Sequence, residues 1–133
     1  MTRLIVCVAI ACALFTALPG QNATEKESPL EALHSERCQL LTQRLEAIRV
    51  MHANGRASKQ ALDEATVQLL LAEIEATSDA KTRSEKQDAA IKVLETMVEQ
   101  SHQMVAQGMT SVSEYRDAQL RLIETKIAFL SED

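Results

Sequence analysis

Beyond residue 20 the chain holds only two glycines, Gly55 and Gly108, and one proline, Pro29. Sheet folds spend Gly and Pro at nearly every connection. A chain with three such residues over positions 21–133 therefore has few turns and long elements. Ala, Leu, Glu, Gln, Lys and Arg fill the rest, and these are the strong helix formers. The expected fold class is all-α, and the length of 133 residues allows one domain.

The two glycines lie 53 residues apart, and their surroundings match at that offset. Met51-His-Ala53-Asn-Gly55-Arg-Ala-Ser58 aligns with Met104-Val-Ala106-Gln-Gly108-Met-Thr-Ser111. Ala65, Leu69 and Ile74 continue the match to Ala118, Leu122 and Ile127. Seven of 24 aligned positions from Met51 to Ile74 are identical, which marks an internal repeat. The repeats span about residues 36–80 and 86–131. Each reads as helix, Gly turn, helix. Gly closes the first helix in the left-handed conformation, and the following Ser58 or Ser111 caps the next one. Ser111 and Glu114 have capping-box spacing; Ser58 has Ala61 where the acid would be. So short a gap favours antiparallel helical hairpins with coiled-coil-like packing.

The helices themselves follow from caps and periodicity. Ser28-Pro29-Leu30-Glu31 joins a Ser cap, a first-position Pro and a capping-box Glu, and predicts a helix over 29–54. Its stripe is Leu30, Leu33, Leu41, Leu45, Ile48 and Met51. A second helix starts at 58, a third ends at 107, and a fourth covers 111–131. Apolar residues recur at threes and fours throughout. Each repeat also carries a second apolar row: Val67, Leu70 and Ile74 in one, Leu120, Ile123 and Ile127 in the other. These six are candidates for a partner-contact face, provided the first row fills the hairpin; otherwise both rows are core. Residues 75–90 lack Leu, Ile, Val, Met, Gly and Pro. With no breaker present, the sequence predicts one long middle helix of about 50 residues, ~75 Å long. The alternative is a break near 77–84 and a compact four-helix bundle.

The N-terminus carries a different signal. Arg3 precedes an uncharged apolar run over Leu4–Leu18, and Pro19-Gly20 ends it. Fifteen residues suit a signal-peptide core better than a spanning helix, which needs ~20. Residues 1–20 are expected to be a signal peptide and 21–28 a disordered tail, so the mature helical domain is 29–133. The expected location is exported, periplasmic or secreted, with no membrane span in the mature chain. Cleavage would remove Arg3, Cys7 and Cys12, leaving 13 basic and 19 acidic residues, a net charge of −6. Cys38 would be the sole thiol and is expected to be buried.

The chemistry is sparse. An aromatic content of 2% excludes a base-stacking platform, and a net charge of −5 excludes a phosphate-binding surface, so no nucleic-acid partner is expected. No phosphate loop, HExxH, CxxC or GxSxG occurs. Acid pairs such as Asp63/Glu64 and Glu73/Glu75 read as solvated surface. His34 and Cys38 are one helical turn apart, the minimum for an activated thiol, yet nothing else completes such a site. Met51, His52, His102, Met104 and Met109 cluster near the Gly turns and would suit a soft metal only if both turns shared one end. No enzyme, metal or cofactor is expected.

The segment Met104-Val-Ala-Gln-Gly108-Met-Thr-Ser111-Val-Ser-Glu114-Tyr115-Arg-Asp-Ala118 resembles the helical-hairpin repeat of TolC-like outer-membrane efflux proteins. Gly55, Ser58, Leu62 and Ala65 match a second copy. The resemblance spans about residues 36–131. It implies that Gly55–Ser58 and Gly108–Ser111 are tip-like contact sites. Members of that family are several times longer and carry barrel strands, which this chain lacks, so transport does not carry over. The function expected is protein–protein association through helical hairpins, with a helical partner or with copies of itself, linked to efflux or envelope assembly. A small periplasmic stress or metal-responsive helical protein is the alternative.

Overall fold

The structure, a computed structural model, describes residues 28–131. The expected signal peptide and all of the expected tail except Ser28 lie outside the described residues. Four helices follow one another: α1 (Pro29–Ala53), α2 (Lys59–Ala76), α3 (Ala80–Ala106) and α4 (Val112–Leu130). There is no strand among the described residues. The all-helical fold class and the two Gly-turn hairpins are as expected.

Each helix begins on a side chain that satisfies an otherwise orphan backbone donor. Ser28 Oγ accepts from the Glu31 N–H, and Glu31 Oε2 accepts from the Ser28 N–H at 2.7 Å, a full capping box. Ser58 and Ser111 accept from Ala61 and Glu114 N–H, the cap alone in both cases. The reciprocal arm expected from Glu114 is not formed.

The long middle helix is corrected to a break. α2 stops at Ala76, Thr77 is extended at φ −95°, and Asp79 caps α3 by accepting from the Thr82 N–H at 2.7 Å. Arg83 then donates from Nε and Nη2 to the Thr77 carbonyl, at 3.2 and 2.7 Å, and staples the turn. The physical reason is twofold. Thr-Ser-Asp offers side-chain oxygens that compete with the helix for backbone donors without Gly or Pro. Folding back also covers the second apolar row of α2, which a straight 50-residue helix would leave bare.

The helices pack strictly in order, α1 on α2, α2 on α3 and α3 on α4. Among the described residues α1 and α4 do not meet, so this is an antiparallel row with two ends rather than a closed ring of four. Burial follows from that. α2, covered on both sides, holds Ala65, Val67, Ala72 and Ile74 of the core, and α3 adds Ala90 and Leu94. α1 buries only Leu45, and α4 has no fully buried residue.

Candidate association surface

The two turns are built alike. Gly55 and Gly108 each sit at φ +68°. Gly55 N–H donates to the His52 carbonyl and Arg56 N–H to the Met51 carbonyl, at 2.9 and 2.8 Å. Gly108 N–H and Met109 N–H repeat this toward Val105 and Met104 at 3.0 and 2.8 Å. These are paired Schellman closures, which need a left-handed residue. Because the row is antiparallel, both turns lie at the same end, and the Thr77–Asp79 turn lies at the other.

The six second-row residues divide between two environments. Val67 and Ile74 are buried and Leu70 is half-buried, because α3 lies over that side of α2. These three are therefore corrected from partner face to core. Their repeat equivalents Leu120, Ile123 and Ile127 are 54, 54 and 58% exposed, because among the described residues only α3 packs on α4 and it covers the other side. Leu130 extends that stripe by one turn. At the opposite end of the row, Leu30, Leu33, Leu40 and Met51 of α1 are also exposed. Leu30, Leu33 and Met51 belong to the stripe expected to face the hairpin; the residues that turn inward are instead Leu41, Leu45 and Ile48. Burying a leucine side chain contributes ~1.5–3 kcal/mol, so each outer helix withholds several kcal/mol of potential packing.

Polar side chains hold the row in register. Lys86 reaches Glu73 and Gln100 reaches Asp63 between α2 and α3. Arg37 pairs with Glu75, and Arg44 donates to Gln68, between α1 and α2. Lys126 pairs with Glu95 between α3 and α4. The row bends enough for Arg121 of α4 to reach Glu64 of α2 with both guanidinium nitrogens. The Arg121 hydrogen bond holds the Glu64 carboxyl below the usual range, against a smaller opposing effect of burial. Beside this bridge runs a groove of about 280 Å³, lined by Gln60, Met97, Met104 and Ala118 among others. The acid pairs are thus not all solvated surface: Asp63 is buried and held by Lys59 and Gln100. An acid four residues after a Lys was visible at Lys59/Asp63; nothing local foretold Glu64 and Arg121.

The antiparallel row brings the Met and His candidates of the two Gly turns to one end, and His34 and Cys38 line one cleft. His52 Nδ1 engages the Ala57 carbonyl at 2.9 Å, and the His102 ring lies 5.3 Å from that of Tyr115. Among the described residues no group of three His, Cys, Asp or Glu side chains is placed to hold a metal ion. Cys38 is half-buried rather than buried, in an open cleft with His34 and Thr77. No helix of the described residues is long and apolar enough to cross a membrane. In comparisons with known proteins, no family model, no curated protein and no solved structure matches the chain.

Proposed function

We propose that this protein is an exported, non-enzymatic association module, whose outer helices α1 and α4 dock onto other helices through their bare apolar faces. The observation that carries the reading is the exposed stripe Leu120, Ile123, Ile127 and Leu130 on a helix with no fully buried residue. Monomeric proteins seldom expose contiguous apolar rows of this kind, and such rows mark interaction sites. Export rests on the Arg3, Leu4–Leu18 and Pro19-Gly20 pattern. An efflux or envelope-assembly setting follows from the hairpin resemblance. In that setting the two Gly turns, side by side at one end, are a second contact point.

The test is a photo-crosslinking amino acid placed in living cells at Ile123 or Leu40, with Lys81 as the control position. Lys81 is 86% exposed at its side chain and lies on neither stripe. Discrete adducts at Ile123 and Leu40, and none at Lys81, are expected. Equal labelling at all three, or none, overturns the reading.

A further inference from the structure

The repeat makes the internal α2·α3 interface a template for the two ends of the row. Three polar contacts set the register of that interface: Arg83 with Thr77, Lys86 with Glu73, and Gln100 with Asp63. Moving α2 forward by the repeat offset gives α4, and moving α3 back by it gives α1. The level of Thr77 and Arg83 then becomes Leu130 and Leu30. The level of Ile74 and Lys86 becomes Ile127 and Leu33. Val67 and Val93 become Leu120 and Leu40, and Arg56 and Met104 become Met109 and Met51. Every residue in these four transposed pairs is an exposed large hydrophobic. Three of the levels carry a polar or charged residue inside the chain, yet all four transposed pairs are apolar.

On this basis, and resting on the association reading above, we infer that the partner for α4 is α1 of a second copy of the same chain, docked as α3 docks on α2. The complement that α4 requires is written in its own sequence, in a register that the repeat dictates. Among the described residues it is not supplied within one chain, because α1 and α4 do not pack on one another. At the level of Ile123, α1 offers Arg37, whose guanidinium is already paired with Glu75 and whose apolar stem lies against Ile123. The contact is heterologous: each copy donates one face and receives on another. It closes into a ring or extends the row, depending on the rotation between copies.

The test uses the protein expressed from its full-length sequence and purified as recovered, followed by sedimentation equilibrium. The wild type associates with rising concentration. Leu120→Glu/Ile127→Glu blocks the α4 face, and Leu33→Glu/Leu40→Glu blocks the α1 face. Each variant alone keeps its helicity and weakens association by roughly 100-fold or more. Mixed in equal amounts they restore a complex of one copy each, because each still carries the face that the other needs. A monomeric wild type, a variant that still self-associates normally, or a mixture that stays monomeric overturns the inference. A second readout is independent of how the Glu variants fold. In a background with Cys7, Cys12 and Cys38 replaced by Ala, Leu120→Cys and Leu40→Cys chains are mixed and oxidised. The mixed disulfide forms, while Leu120→Cys with Leu33→Cys, two turns out of register, does not. A disulfide between two Leu120→Cys chains would reveal a symmetric α4 pair and refute the head-to-tail arrangement. Photo-crosslinks to a different protein only would sink this inference and leave the wider association reading standing, whereas no adducts together with a monomeric wild type would sink both.

Discussion

Ile74 and Ile127 are the same residue at equivalent positions of the two repeats, and the fold gives them opposite surroundings. Ile74 is 5% exposed between α2 and α3, whereas Ile127 is 58% exposed on the outer side of α4. Replacing each by Ala removes the same atoms. At Ile74 the loss combines the transfer free energy of the missing carbons with the cavity they leave, ~2–5 kcal/mol for Ile→Ala in a core. The site is enclosed by two helices that cannot simply collapse inward, so the middle of that range, ~3 kcal/mol, is expected. At Ile127 over half of the side chain is already in water, so the transfer loss is below ~1 kcal/mol. Ala also improves helix propensity by a few tenths of a kcal/mol, ~0.4, relative to Ile. The net change at Ile127 in the isolated chain is therefore within ~0.5 kcal/mol of zero. Urea unfolding followed by circular dichroism at 222 nm, at the lowest workable concentration, measures both. A large loss at Ile74 with almost none at Ile127 is expected. Similar losses at the two sites would refute the argument that α4 lacks a neighbour. Repeating the pair at high concentration adds a second reading. Association stabilises the folded state by mass action, so Ile127→Ala should become costly only as copies begin to pack.

Gly55→Ala and Gly108→Ala should each destabilise by about 1 kcal/mol, because both residues sit at φ +68° and an added Cβ meets no atom within 4 Å, leaving backbone strain alone. Thermal melts of the two variants should therefore agree, and a much larger loss at one turn would mean that turn is also a packing site. Asp79→Ala should cost ~1 kcal/mol by uncapping α3, with Asp79→Asn restoring most of it in the same melts. Glu31 and Asp79 are held below the usual carboxylate range by the hydrogen bonds of their caps, and Glu64 by Arg121. Carboxylates depressed on folding contribute stability above their unfolded pKa and lose it as pH falls through the folded value. Stability should thus be level near neutrality and decline below about pH 4.5; Glu64→Gln should soften that decline, and stability rising on acidification would contradict it.

Local chemistry was legible in the sequence wherever a single residue decides it. The Ser28 box, the left-handed Gly55 and Gly108, and the Ser58 and Ser111 caps are all determined by neighbours within a few positions. The break at Thr77–Asp79 was not, because the segment 75–90 carries neither Gly nor Pro, the residues that stop a helix on their own. Ser, Thr and Asp end helices by offering competing acceptors, and that competition is decided by what the fold gains in turning back. Here the gain is the cover over Val67 and Ile74. The second apolar row shows the same limit. Periodicity places Val67, Leu70 and Ile74 on one side of a helix and Leu120, Ile123 and Ile127 on one side of another, with identical patterns. Which row is buried depends on whether a further helix follows in space. Only the order of packing shows that α3 covers the first row and that no helix of the described residues covers the second. Cross-helix pairs such as Glu64 with Arg121 were out of reach for the same reason, since they join residues from helices that are not neighbours in sequence.

Sedimentation velocity of the full-length-expressed protein across a concentration series tests the contact between α4 and α1 of a second copy directly. The weight-average mass is expected to climb through multiples of the protomer as α1 of one copy finds α4 of the next. A single species of protomer mass at every concentration would contradict it.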